Sequence, residues 1–207
     1  MSAVASPVQV HRPLPPEEAA RGDLYALLAR LLVGPPDDAL LGHLAAAERL
    51  PGDGALARAW AGLVDASKAM DADAAAEEYE QLFVGMGQSP VSIYAASYAS
   101  AGSVDHPRVR IQRDLAALGL GRPATVTEPE DHLGGLLEAM RVLVKGGAGR
   151  EPASLEEQKR FHEAHLAAAW PGFAAALGAA REANYYRHVA ALCAAFAALE
   201  AESFKLD

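Results

Sequence analysis

The chain has 207 residues and a formal net charge of −9, with 51% apolar and 22% charged residues. This balance is typical of a folded globular protein, long enough for one sizeable core or two small lobes packed together. The negative charge argues against a nucleic-acid surface, because phosphate binding needs a concentrated set of Lys and Arg side chains. Abundant alanine and only 6% aromatic residues favour closely packed helices, so we expect an all-α fold.

Residues 1–15 contain three prolines and no continuous apolar segment. We therefore predict a disordered leader without a secretory signal, followed by one cytoplasmic helical domain over residues 16–204. The longest apolar run, residues 189–199, spans 11 residues, whereas a membrane span needs about 20. A single cysteine, Cys193, excludes internal disulfides and multi-cysteine metal sites, and its place on an apolar helix face indicates a buried thiol.

Four helices are predicted before residue 85. Glu17 and Glu18 open the first, Asp37 caps the second, residues 56–64 carry the third, and Asp71 or Asp73 caps the fourth. The acids from Asp71 to Glu80 are most simply a solvated helix face. Residues 85–92 contain too many helix breakers for a regular element and predict an ordered loop.

The second half of the chain predicts five more helices and no strand. Ser103 or Asp105 caps a helix that Gly119 ends, and a linker over residues 119–126 would divide the domain into lobes of 16–118 and 127–204. Thr127 and Glu130 form a capping box that starts the next helix. Further helices are expected from the capping box at Ser154 to a break or kink at Pro171, around residues 173–180, and from about residue 184 onward.

Residues 128–132 carry the strongest candidate site. Glu128, Glu130 and Asp131 suit a helix N-terminus, where the macrodipole favours carboxylates. A protonated imidazole is disfavoured there, so His132 invites a functional interpretation. Asp131 and His132 could form an acid–base pair, but the sequence has no nucleophile context to accompany it. The structural alternative is a helix cap in which His132 bonds a neighbouring acid.

Other motifs do not predict a metal or a cofactor. His162 and His165 are three residues apart, whereas a zinc-protease motif needs histidines four apart and a third ligand. The glycines at 119 and 121 follow a predicted helix and precede a proline, so they do not form a dinucleotide-binding loop. We therefore expect neither a metal nor a bound cofactor.

Two segments resemble a known family. Residues 128–133, Glu-Pro-Glu-Asp-His-Leu, with Leu137, Glu138 and Met140 following, resemble the signature of the TorD/DmsD/NarJ redox-enzyme maturation chaperones. Residues 79–98 are similar to that family's Leu-Phe-x-Gly-Pro-Gly loop, which ends in Pro-Tyr-Glu-Ser. The departures from the family's pattern are Met86, Ile93, Ala95, Leu136 and Ala139. The resemblance covers about residues 79–196.

The resemblance implies an all-helical cytoplasmic chaperone without catalytic activity. Such a protein binds the twin-arginine leader peptide and the apo form of a molybdenum-cofactor oxidoreductase subunit, assists cofactor insertion and delays export. A receptor for this leader needs carboxylates beside an apolar groove, because the leader carries two guanidinium groups followed by an apolar segment. The expected client-binding residues are Glu128, Pro129, Glu130, Asp131, His132, Pro90, Tyr94 and Tyr98.

The acidic residues are concentrated in two segments. Residues 69–107 contain six acids and residues 123–140 contain four, and neither segment contains Lys or Arg. If these segments fold against each other, they form an acidic field that steers a basic ligand. The alternatives are a helical adaptor or regulatory protein that binds no leader peptide and, less favoured, a small-molecule enzyme. A monomer is expected, with a domain-swapped dimer as the alternative.

Overall fold

The structure, a computed structural model, describes residues 14–85, 89–98, 106–121, 128–147 and 149–205. Within these ranges the chain forms α-helices and isolated β-bridges but no strand, which confirms the predicted all-α fold. The predicted leader up to residue 13, the linker residues 122–126 and Thr127 lie outside these ranges. The helices are α1 Pro16–Val33, α2 Asp38–Ala45, α3 Ala55–Ala69, α4 Ala72–Tyr79, α5 Pro107–Ala117, α6 Leu133–Lys145, α7 Leu155–His165, α8 Ala169–Ala179 and α9 Tyr186–Ser203.

Three helices begin where local capping patterns predict. The Asp37 carboxylate accepts the Leu40 N–H at 2.8 Å at the start of α2. Asp71 caps α4, and Ser154 forms a reciprocal capping box at the start of α7. Each cap satisfies backbone donors that the first helical turn leaves without partners. These starts are therefore encoded by a few neighbouring residues.

Two helix boundaries differ from the prediction. Helix α5 begins at Pro107, where the His106 ring accepts the Arg108 N–H at 3.4 Å. It thus starts later than a cap at 103 or 105 implies, and those two positions lie outside the described residues. The prediction that Pro171 breaks or kinks a helix was wrong, because α7 already ends at His165 and Pro171 lies in the first turn of α8. A first-turn N–H needs no intrahelical partner, so proline fits there.

The core is formed largely by pairs of helices that are distant in sequence. Helix α1 packs along α6 and α3 along α9, while the consecutive helices α8 and α9 also pack against each other. Helices α1 and α6 approach each other so closely at Gly134 that an added Cβ would lie 2.8 Å from Val33 Cγ2 and 3.2 Å from the Ala29 carbonyl oxygen. Buried side chains from residues 25–204 form one hydrophobic cluster. Cys193 belongs to it as predicted, and burial raises the pKa of its thiol to about 12.

A buried polar network joins α1, α7 and α9. The Glu200 carboxylate, 1% exposed, accepts hydrogen bonds from Arg21 Nε and Nη2, both at 2.7 Å, and from Tyr25 Oη at 2.5 Å. Arg21 Nη1 also donates to Gln158 Oε1 at 2.6 Å. Burial disfavours the Arg21 charge, but Glu200 more than offsets this effect and raises the pKa of Arg21 above its ordinary value. The network therefore holds a paired charge inside the protein.

Glu78 caps a helix that lies more than 100 residues further along the chain. Its two carboxylate oxygens accept the backbone N–H groups of Asn184, Tyr185 and Tyr186 at 2.8, 3.0 and 2.8 Å. The prediction that all acids from Asp71 to Glu80 face solvent was therefore wrong for Glu78, which is 8% exposed. The carboxylate matches the positive N-terminal end of α9, where no local side chain forms a cap.

No described helix combines the length and the apolar character that crossing a membrane requires.

Candidate functional site

Residues 128–132 precede α6 and do not form its first turn. Helix α6 begins at Leu133, and His132 is its N-terminal cap residue with extended backbone dihedral angles of −64° and 122°. The predicted helix start at residues 127–130 was therefore wrong. The physical reason is a competing partner, because the backbone around His132 pairs with the loop that contains Tyr94.

This pairing joins the two segments that the sequence singles out. Tyr94 and His132 form an antiparallel β-bridge, in which the Ala95 N–H donates to the Asp131 carbonyl oxygen at 2.8 Å and the Leu133 N–H donates to the Ile93 carbonyl oxygen at 2.9 Å. Ile93 is buried, which anchors the loop from below. Two predicted site residues, Tyr94 and His132, thus lie next to each other.

His132 is a buried aromatic neighbour of Tyr94. The two rings meet edge to face, with centroids 5.7 Å apart. Burial lowers the pKa of His132 below its ordinary value, although Glu128 and Asp131 act in the opposite direction. The neutral ring is therefore favoured, as expected for an imidazole at the positive end of a helix. The nearby acids thus do not make His132 more basic overall.

Asp131 and Glu130 face the guanidinium group of Arg108, which is not among the predicted site residues. Arg108, on α5, places Nε 3.4 Å from Asp131 Oδ1 and Nη2 3.7 Å from Glu130 Oε2. The Asp131 side chain is only 5% exposed, whereas that of Arg108 is 45% exposed. One signal could have identified Arg108, because a cation in the first turn of a helix opposes the macrodipole and so needs a nearby acid.

Glu128 contributes to an acidic region around Tyr79. Burial, followed by Glu128, Tyr94 and Glu80, raises the pKa of Tyr79 to about 12. The Tyr79 hydroxyl donates to the Leu32 carbonyl oxygen at 3.0 Å, which anchors this region to α1. Acids from both acid-rich segments therefore act on one side chain, as expected if the segments fold against each other.

Tyr98, Pro90 and Pro129 have different surroundings. Tyr98 donates to the Ser92 carbonyl oxygen at 2.7 Å and packs against Phe173 of α8, so it fixes the loop to the core. Pro90 is exposed at the start of this loop, and residues 86–88 beside it lie outside the described ranges. The Pro129 carbonyl oxygen accepts the His132 N–H at 3.0 Å within the turn that precedes α6.

Exposed apolar side chains lie beside these charges. Tyr94 is 38% exposed and Val33 is 54% exposed. A Cβ added at Gly134, two residues after His132, would lie 2.8 Å from Val33 Cγ2. Tyr94 thus lies against His132, the residue that follows Glu130 and Asp131, and Val33 lies close to Gly134. Such a surface can bind a cationic group that is followed by an apolar segment.

The two histidines of α7, His162 and His165, have different neighbours. His165 Nε2 contacts Asp114 Oδ2 at 2.9 Å, while the His162 ring lies against Trp170 and Phe204. Among the described residues, no group of three or more His, Cys, Asp or Glu side chains is arranged to hold a metal ion.

The described helices and the loop paired with the start of α6 define an all-α protein, and its fold is shared with a known structure. A crystal structure from Archaeoglobus fulgidus, described as a candidate redox enzyme maturation protein, matches with a TM-score of 0.55 over 94% of this chain and 99% of that chain. At 18% identity this match demonstrates a common fold. No curated protein sequence matches the chain significantly.

The sequence model of the nitrate reductase delta subunit family matches residues 51–175. The chain belongs to this family, which confirms the predicted membership of the TorD/DmsD/NarJ chaperones. The matched region contains the Tyr94 loop, Arg108 and the residues before α6. Family and fold together point to a redox-enzyme maturation chaperone.

The lowered pKa of His132 predicts an acid-sensitive fold. The unfolded chain binds a proton near pH 6.5, while folded His132 resists protonation, so stability is lost as the pH falls below about 6.5. One histidine contributes at most about 1.4 kcal/mol per pH unit. His132→Gln should therefore reduce the loss of unfolding free energy between about pH 7 and pH 5, measured by urea denaturation. The exposed His43→Gln is the control, and identical pH dependence in wild type and His132→Gln would contradict the prediction.

Proposed function

We propose that this chain is a cytoplasmic, non-catalytic chaperone that binds the twin-arginine leader of a molybdenum-cofactor oxidoreductase subunit. The pairing of Tyr94 with His132 supports the proposal, because it brings the residue that follows Asp131 against an exposed aromatic ring. In this proposal the chaperone holds the apo subunit while its cofactor is inserted and delays export of the leader.

The acids before α6 provide the cationic half of the recognition. A guanidinium group presents several N–H donors in a planar fork, which suits a carboxylate better than a neutral acceptor. Asp131 is held in place by backbone hydrogen bonds on both sides, so little conformational freedom is lost when it binds a ligand. Glu128 and Glu130 add negative charge beside it.

The apolar half of the leader would pack on exposed apolar side chains. The Tyr94 ring and the Val33 side chain offer this surface, and His132 supports Tyr94 from below as a neutral ring. Tyr98 and the buried Ile93 keep the loop in position. In this arrangement His132 orients the Tyr94 ring and does not bind the leader as a charged group.

A peptide titration tests the site. Asp131→Asn should weaken binding of a labelled twin-arginine leader peptide about 10- to 100-fold, since a hydrogen bond to a charged group contributes about 1.5 to 3 kcal/mol. The exposed Asp38→Asn, on α2 and outside both acid-rich segments, makes the same change of charge and should leave the affinity within about twofold of wild type. Thermal melts of both variants serve as a folding control. Equal affinity of wild type and Asp131→Asn would refute this placement of the site.

Changes in salt concentration and in the peptide sequence distinguish the contribution of charge to the affinity from that of apolar contact. Raising ionic strength from 0.1 M to 1 M shortens the Debye length from about 10 Å to about 3 Å and should weaken binding. Affinity that ignores both salt and replacement of the leader arginines by glutamine would show that the acidic residues take no part and that apolar contact is the recognition element. Capture of an apo molybdoenzyme subunit by wild type, but not by Asp131→Asn, would identify the client class.

A further inference from the structure

Asp131 Oδ1 is a buried acceptor with an incomplete set of contacts. The side chain is 5% exposed, and Oδ1 accepts no hydrogen bond from any residue that the structure describes. Arg108 Nε lies 3.4 Å away, close enough for an ion pair, but its N–H does not meet the geometry of a hydrogen bond. A buried carboxylate oxygen in this state gains free energy when a well-aligned donor reaches it.

Arg108 is poorly suited to be the permanent donor. It lies in the first turn of α5, directly after Pro107, where the helix dipole disfavours a cation. Its side chain is 45% exposed, so water competes for the guanidinium and weakens the ion pair. Its distances of 3.4 Å to Asp131 and 3.7 Å to Glu130 are long for charge-assisted hydrogen bonds.

We propose that Arg108 is an internal ligand of the guanidinium site, which an incoming arginine must displace. This inference rests on the proposed function and adds its regulation. Arg108 covers Asp131 in the free protein and so prevents weakly binding cations from occupying the site. A leader arginine replaces the poorly aligned Arg108 contact with better hydrogen bonds, and Arg108 then turns into solvent.

Competition by an internal group lowers the apparent affinity of all cationic ligands by one common factor. Arg108→Gln should therefore increase the affinity for twin-arginine and twin-lysine peptides alike, by about three- to fivefold. A peptide with glutamine at both positions should show no gain. In an Asp131→Asn background the Arg108→Gln gain should disappear, because the two substitutions act on one contact.

Arg187→Gln provides a matched control for net charge. Arg187 is exposed on α9, beside residues of α8 such as Ala174. It should change the affinity for the same peptides by less than twofold. If Arg187→Gln and Arg108→Gln give the same gain, the effect is one of overall charge and the inference is wrong. Weaker binding by Arg108→Gln would also overturn it, since Arg108 would then support the site.

Methylguanidinium makes this inference independent of the leader peptide. Its binding can be followed through the backbone amide shifts of Asp131 and His132 in wild type and Arg108→Gln. If no variant binds the peptide but methylguanidinium binds Arg108→Gln more tightly, the internal ligand is supported and leader binding fails. If methylguanidinium binds both proteins equally, Arg108 does not compete and the inference fails, whatever the peptide does.

Discussion

Glu200→Ala is expected to lower the free energy of unfolding by about 3 to 5 kcal/mol, because it removes the buried carboxylate of an ion pair and leaves Arg21 the more exposed Glu18 as its ionic partner. Arg21 loses two hydrogen bonds of 2.7 Å, and the buried Tyr25 hydroxyl loses its acceptor. Urea denaturation monitored by circular dichroism measures this change. A loss of this size is a large part of the stability of a typical domain.

Two further variants distinguish the contribution of the buried ion pair to stability from that of an exposed carboxylate and from the burial of the same positions. Glu202→Ala, on the same helix, removes a carboxylate whose side chain is 70% exposed and should change stability by less than about 0.5 kcal/mol. Replacing Arg21 with Met and Glu200 with Leu together should cost less than Glu200→Ala alone, because no uncompensated charge is left. A single Glu200→Ala substitution as mild as Glu202→Ala would show that water replaces the lost contacts.

Glu78→Ala should destabilise the protein by about 3 kcal/mol or more. Three backbone N–H groups at the start of α9 lose their acceptor, and each buried donor without a partner costs about 1 to 3 kcal/mol. Glu78→Gln retains one carbonyl oxygen as an acceptor and should be milder. Urea denaturation measures the loss, and hydrogen exchange should rise first at Asn184, Tyr185 and Tyr186.

The neighbouring Glu77→Ala is the matched control for this cap. Glu77 is exposed on the same helix and accepts only a hydrogen bond from Gln81, at 3.2 Å. Its replacement should change stability by less than about 0.5 kcal/mol. Equal effects of the substitutions at 77 and 78 would mean that α9 does not depend on the Glu78 carboxylate.

Local chemistry made several features predictable from the sequence. Asp37, Asp71 and Ser154 each cap a helix through an acceptor that lies within three residues of the donor it satisfies. The all-α class follows from composition and helical spacing, which are also local properties. The family was recognised from short strings around residues 79–98 and 128–133, and the match over residues 51–175 confirms it.

Contacts between distant segments account for what the sequence did not show. Helix α6 starts at Leu133, later than predicted, because Ile93 and Ala95 form backbone hydrogen bonds with Leu133 and Asp131. Local capping rules do not contain that information. The Glu78 cap joins α4 to the start of α9, and the Arg108 contact with Asp131 joins α5 to the residues before α6. The assignment of Glu128, Glu130, Asp131 and Tyr94 as client-binding residues stays a prediction, although Tyr94 does lie against this motif.

The Arg21–Glu200 pair also has a consequence for the order of events during synthesis. Its partners are 179 positions apart, so α1 leaves the ribosome long before the carboxylate that neutralises Arg21 has been made. Until α9 follows, the apolar face of α1 can associate with α6, but the guanidinium must stay hydrated. Completion of this network is therefore a late step, and a nascent chain that stalls before residue 200 keeps part of its core open to solvent.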